Sequence, residues 1–196
     1  MAFVMGTAAT EGDPDRMPDY PVFHAWYDDM MRNDPCRPLA PWMTEYFPTN
    51  LIVDAERHGA LTSWLMFRYY GIPPRTKEII ERLEPGVHQF LPLRVVYRIR
   101  GVETVHQFYT LKINRCAELY DLSRMKFSST TLRPGLVVHN LEVGHPVVFQ
   151  RSAIAGVHLW RQQKVKAAHL MSQELKEALE REALLDGLEL TPCELV

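Results

Sequence analysis

Eight histidines and three cysteines carry most of the reactive chemistry in this 196-residue sequence. The densest group is HNLEVGH, with His139, Glu142 and His145. A zinc-binding HExxH motif needs two histidines four residues apart on one helical face. Here the segment reads as a strand, on which His139 and Glu142 point to opposite faces, and the Gly144-His145-Pro146 turn re-aims the third candidate. No metal site is expected there. His158 and His169 are placed as hairpin neighbours, but two imidazoles without a nearby Cys or Asp make an incomplete site.

Cys36, Cys116 and Cys193 are odd in number and widely spaced, with no CxxC, so they read as three reduced thiols. Cys116 ends an apolar stretch and reads as a small buried hydrophobe, with a Cys/His nucleophile as the alternative. GxSxG, GxxxxGK[ST] and GxGxxG are all absent, which excludes the usual hydrolase elbow and phosphate-cradling loops. Asp28 and Asp29 are adjacent on an expected strand and point apart, so they are not an acid–base pair. No cofactor and no catalytic residue is implied. Arg94, Arg98 and Arg100 offer a phosphate or nucleic-acid site, but the chain as a whole is not basic. A solvated arginine face is the preferred reading.

Hydrophobic residues make up 46% of the sequence and charged residues 23%, which excludes a disordered, collagen-like or coiled-coil chain. No apolar run approaches the ~18 residues that cross a bilayer. MAFVMGTAATEG lacks a basic n-region, so no signal peptide is read, and a soluble cytoplasmic protein is expected. The net charge of −2 is uneven: residues 1–60 carry −6, residues 61–170 carry +9 and residues 171–196 carry −5.

The elements that must position these residues are legible in part. Residues 1–20 read as a flexible polar tail, and 21–196 as one domain. PVFHAWYDD reads as a strand. Residues 32–50 hold four prolines and read as a long irregular segment bearing Trp42, Tyr46 and Phe47. LTSWLMFRYYG is a strand or a short helix. PPRTKEIIERLEPG is a helix, with Thr76 as cap, Ile79, Ile80 and Leu83 on one face, and Pro85-Gly86 as the stop. In LRVVYRIRG, Leu93, Val95, Tyr97 and Ile99 alternate toward the core, away from the arginines, before a turn at Gly101. QFYTLKINRC follows as its antiparallel partner, with Tyr109, Leu111 and Ile113 on one side. Residues 123–135 read as a polar loop. LVVHNLEV and PVVFQRSAIAG read as strands, and VHLWRQQ with KVKAAHLM as a hairpin. Ser172 caps a last helix that Gly187 ends, with Leu175, Ala178, Leu179 and Ala183 as its stripe and Glu177–Arg181 as an i,i+4 pair. LELT is a final short strand. The fold class is α+β: a mostly antiparallel β-sheet with one or two packed helices, including a C-terminal helix.

Four segments in order carry a resemblance: QFLPLRVVYRIRG, QFYTLKINRCAELYDLSRMKF, SAIAGVHLWRQQ and KAAHLMSQELKEALEREALLDGLELTP. Together they resemble the polymorphic-toxin immunity proteins of immunity family eleven, formerly a bacterial domain of unknown function. The resemblance rests on Tyr109, Leu111, Asn114, Tyr120, Asp121, Ser123, Gly156, His158, Leu159, Trp160, Arg161, Ser172, Leu175, Leu179, Gly187 and Leu188, and covers residues 87–196 best. Trp160 stands where phenylalanine is usual and Leu188 where a β-branched residue is common.

What the resemblance implies is neutralisation of a cognate toxin by direct protein–protein binding, with no catalytic step, no membrane and no nucleic acid. Such binding needs a complementary surface with a few aromatic or arginine anchors. The contact is expected on the Pro-rich segment and its acidic flanks. Asp28, Asp29 and Glu45 would meet a basic toxin, and Trp42 and Tyr46 would anchor it.

Overall fold

A computed structural model describes residues 1–6, 10–11, 13–14, 36–66, 69–117, 122–133, 136–141, 147–149, 155–161 and 169–196. The strands are β1 (Ala2–Gly6), β2 (Thr10–Glu11), β3 (Asp13–Pro14), β4 (Asn50–Asp54), β5 (Leu65–Met66), β6 (Tyr70–Ile72), β7 (Gln89–Ile99) and β8 (Val102–Lys112), then β9 (Phe127–Arg133), β10 (Leu136–Leu141), β11 (Val148–Phe149), β12 (Leu159–Arg161), β13 (His169–Ser172), β14 (Glu189–Pro192) and β15 (Glu194–Leu195). The helices are α1 (Pro41–Thr44), α2 (Ala55–His58), α3 (Pro74–Leu83) and α4 (Gln173–Glu180). A seven-stranded sheet runs β2-β5-β6-β8-β7-β4-β3, and a four-stranded sheet runs β12-β13-β1-β14. Most pairings are antiparallel; β4 joins β7 in parallel. The fold is α+β, as the sequence indicates.

β7 and β8 form the longest hairpin. Its two-residue turn puts Arg100 at φ 49° and Gly101 at φ 78°, a geometry that matches strand twist. Leu93, Val95 and Phe108 share one face and build a core with Leu51, Val53 and Leu65. The apolar alternation outruns that core: Ile99 is 44% exposed at the tip. Tyr109 and Leu111 of β8 and Ile113 just after it join the central core, yet Thr110 and Lys112 on the opposite face are buried too. The strand is covered on both sides there, which alternation alone does not reveal.

The central core gathers Ile79 and Ile80 of α3, Leu175, Ala178 and Leu179 of α4, Tyr70 and Ile72 of β6, and Leu159 and Met171 of the small sheet. α4 begins where Ser172 Oγ accepts the Leu175 N–H at 3.1 Å, a side-chain cap. It stops at Glu180, short of Ala183, which is exposed and has φ 54°. Gly187 closes the following turn at φ 88°. Arg181 Nε donates to the Glu177 carbonyl rather than to its carboxylate.

Several expectations are corrected. Ala2–Gly6 is not a frayed tail: β1 lies between β13 and β14, with Ala2 fully buried and Phe3 and Met5 nearly so. An unbroken run of five apolar residues finds two partner strands more than 160 positions away, a long-range pairing that composition does not encode. Thr76 is not the α3 cap. Pro73 holds that position with Pro74 in the first turn, and Thr76 is buried with its hydroxyl unpartnered among the described residues. The polar stretch from Phe127 to Arg133 is a strand, paired with β10. Residues 61–71 hold two short strands. The expected strand PVFHAWYDD lies outside the described residues.

The thiols are corrected as well. Cys36 and Cys116 form a disulfide with a Cα–Cα distance of 5.6 Å across 80 positions, and Cys193 is free and buried. Spacing could not show this, because the pairing depends on the end of β8 returning beside the Pro-rich segment. The Cys116 sulfur is consumed in that bond, so it is no thiolate nucleophile.

Candidate functional site

Trp42, Glu45 and Tyr46 lie on or just after α1, a single turn that Pro41 can start because its missing N–H would be unpaired there anyway. Inward, Leu39, Met43 and Phe47 are buried against Tyr69 and Leu91. Phe47 and Tyr69 ring centroids are 4.8 Å apart. Outward, Trp42 is 48% exposed, Glu45 is exposed and Tyr46 is half-buried. Trp42 and Tyr46 meet edge-on at 6.3 Å. The structure thus brings these three predicted residues onto one short platform. Asp28 and Asp29 lie outside the described residues.

The platform is clamped at its base. Gln89 on β7 accepts the Leu39 N–H at 2.7 Å and donates to the Leu39 carbonyl at 3.0 Å. Asn114 Nδ2 donates to the same Gln89 oxygen at 3.3 Å. The Cys36–Cys116 bond ties the segment to the chain just beyond β8. An exposed Trp42 beside a half-buried Tyr46 on a turn held this way needs little ordering on contact, the property that suits a binding anchor. Gln89 was not singled out from sequence and Cys36 was read as a reduced thiol, since each becomes informative only once its partner is adjacent.

The buried polar groups serve the frame. Glu84, 3% exposed, ends α3 and accepts from the His158 N–H at 3.1 Å and the Leu159 N–H at 2.9 Å at the start of β12. His88 Nε2 lies 2.8 Å from its carboxylate and Arg115 Nε 3.3 Å. Because Asn114 N–H donates to His88 Nδ1 at 3.3 Å, Nε2 carries the proton that Glu84 receives. Burial pushes the Glu84 carboxyl up, but the hydrogen bonds from His88 and His158 and the Arg115 charge outweigh it and hold the carboxyl below the usual range. Tyr70 OH and His169 Nδ1, 3.0 Å apart, link the seven-stranded sheet to the four-stranded one. Burial, with Arg161 and Lys112 nearby, lowers His169 to about 3.

The other sequence candidates are dispersed. His158 and His169 are not cross-strand neighbours: Arg161 opposes His169, and His158 bonds Ser172 at 3.0 Å. Arg98 is paired with Glu103 at 2.6 Å, and Arg94 reaches Asn50 at 3.5 Å. His139, Glu142 and His145 have no described side chains, and no group of three or more His, Cys, Asp or Glu suited to a metal occurs among the described residues. No helix among them is long and apolar enough to cross a membrane.

No curated protein matches the chain. A family model described as "Immunity protein family (Imm11)" matches residues 45–194. The match begins at Glu45, just after α1, and runs from β4 through β14, more than the 87–196 the sequence features cover; α1 and β1–β3 precede it. The chain belongs to the Imm11 immunity protein family.

Proposed function

We propose that this chain neutralises a cognate bacterial toxin by binding it directly, with the α1 platform as the principal contact. The observation that carries the surface is the exposure of Trp42 beside Tyr46 on a turn fixed by Gln89 and Cys36. A large aromatic held rigidly in water costs little entropy to bury and is the side-chain type that dominates interface energetics. Glu45 on the same turn, with Asp28 and Asp29 upstream, supplies charge complementary to a basic toxin. Neutralisation needs occupancy of the toxin's surface and no turnover, so the chain acts as a binding protein.

The setting is proposed to be the cytoplasm of the cell that makes the toxin. A glutathione-reduced compartment would open Cys36–Cys116; the platform would then rest on Gln89 and the Phe47–Tyr69 contact.

The test is rescue and binding. The toxin domain encoded beside this chain is expressed with and without it, and affinity is measured by titration calorimetry. Rescue with a 1:1 complex is expected. Charge reversal of Asp28 and Asp29 combined with Trp42→Ala should weaken binding by about tenfold or more. Absence of any complex sinks the neutralisation reading. Unchanged affinity in a folded triple variant sinks the platform and leaves neutralisation standing.

A further inference from the structure

Among the described residues, the distal half of β8 is an open sheet edge. β6 pairs with β8 only at Tyr109, Thr110 and Leu111. Residues 102–108 have β7 as their one sheet neighbour among the described residues. Because the turn closes Ile99 against Val102 as a hydrogen-bonded pair, alternation turns the N–H and C=O groups of Glu103, Val105 and Gln107 away from β7. Those three residues lie on the side where Tyr109 and Leu111 meet β6, but here nothing described meets them. Natural edges are blunted by Lys, Pro or a bulge. This one has no Lys or Pro, its one charge, Glu103, is paired with Arg98 across the hairpin, it keeps an unbroken register with β7, and it leaves Val105 55% and Val102 61% exposed.

The edge is also complementary to itself. An antiparallel copy centred on Val105 sets Val105 against Val105, Glu103 against Gln107, Thr104 against His106 and Val102 against Phe108. The outward-facing groups of residues 103, 105 and 107 then become mutual hydrogen-bond pairs. Ile52, Val96 and Val105 already form one register row across β4, β7 and β8, which ends open at Val105. A second copy continues it through its own Val105, Val96 and Ile52. The exposed pair Ile99–Val102 extends the partner's Leu93–Phe108 row. The row Arg98–Glu103 meets Gln107–Arg94, so no like charges stand opposite each other.

We infer that residues 102–108 of β8 are a self-association surface, on which a second copy of this chain pairs edge to edge about a two-fold axis at Val105, joining two seven-stranded sheets into one. Toxin binding at the α1 platform does not depend on this: that platform packs on Leu91, at the opposite end of β7 from the tip.

The full chain is examined by sedimentation equilibrium from micromolar concentration to about 1 mM, with amide exchange read at Glu103, Val105 and Gln107. The apparent mass should climb from 22.7 kDa toward twice that value, with those three amides slowing together. Val105→Pro removes an outward N–H that β7 does not use, and should leave a monomer. Val105→Arg, at an exposed site that tolerates the charge, sets like charges on the axis and should do the same. A chain that stays monomeric at the highest concentration overturns the inference. So does a dimer that survives both substitutions. Amides that slow only when the toxin domain is added, with the free chain monomeric, overturn it too and assign the edge to the toxin.

Discussion

Replacing Glu84 by leucine should destabilise the protein more than any surface substitution. The carboxylate is almost wholly buried and holds four donors: His88, Arg115 and the backbone N–H groups of His158 and Leu159. Arg115 is 32% exposed and can turn to water, but the Leu159 N–H is buried and has nowhere else to go. Each buried donor left unpaired costs about 1–3 kcal/mol, and breaking a buried charged cluster by removing one member typically costs about 3–5 kcal/mol. A total stability of about 5–15 kcal/mol would lose a large share. For a chain of this size the loss corresponds to a fall of roughly 6–20 °C in Tm. Glu84→Gln keeps one acceptor and should cost about 1–2 kcal/mol. Calorimetry and urea unfolding read both variants. The depressed folded pKa sets the pH window: Glu84's contribution is complete above the ordinary glutamate value of about 4.3 and disappears as pH falls through the lower folded value. A Glu84→Leu protein within about 1 kcal/mol of the parent at neutral pH would refute the account of Glu84 as the link between α3 and β12.

Three further outcomes are expected. His169 is neutral in the folded protein down to about 3, whereas the unfolded chain protonates near the ordinary 6.5, so it costs stability progressively as pH falls between those values; from pH 7 to pH 5 the parent should lose about 2 kcal/mol more than His169→Gln, and equal slopes in urea midpoint against pH would contradict this. Reducing Cys36–Cys116 frees an 80-residue loop and should lower stability by about 4.5 kcal/mol on the chain-entropy model; Cys193, pushed up to about 12 by burial, should resist thiol reagents until the chain unfolds, and an unchanged Tm under reductant would show that the bond does not constrain the fold. Gly187→Ala should cost about 2 kcal/mol or more, because its Cβ would sit 2.4 Å from the Trp64 carbonyl at φ +88°; Gly86→Ala, with open space at φ +69°, should cost only about 1 kcal/mol by the same calorimetric measure.

Local signals made much of this molecule legible. Alternation marked β7 and β8, the Ile79–Ile80–Leu83 spacing marked α3, Ser172 marked the start of α4, and ordered segments in the C-terminal half pointed to the immunity family. These are properties of neighbouring residues, where a period of 2 or 3.6 fixes which side chains share a face. The aromatics Trp42 and Tyr46 were readable as candidates because four nearby prolines argue against a long regular element, although Pro41 starts the single turn of α1. Their exposure was not readable, since Phe47 and Met43 in the same stretch turn inward.

The sequence by itself determined the secondary-structure period of the long elements and the residue types available to a surface. Only the tertiary structure decided which elements meet: β1 between β13 and β14, Cys36 against Cys116, Glu84 beneath β12, and the distal edge of β8 without a sheet neighbour other than β7 among the described residues. Each of these joins positions far apart in the chain or depends on where a neighbouring strand stops. Closing a loop costs entropy that grows only slowly with its length, so distance along the chain does not forbid such pairings and cannot foretell them.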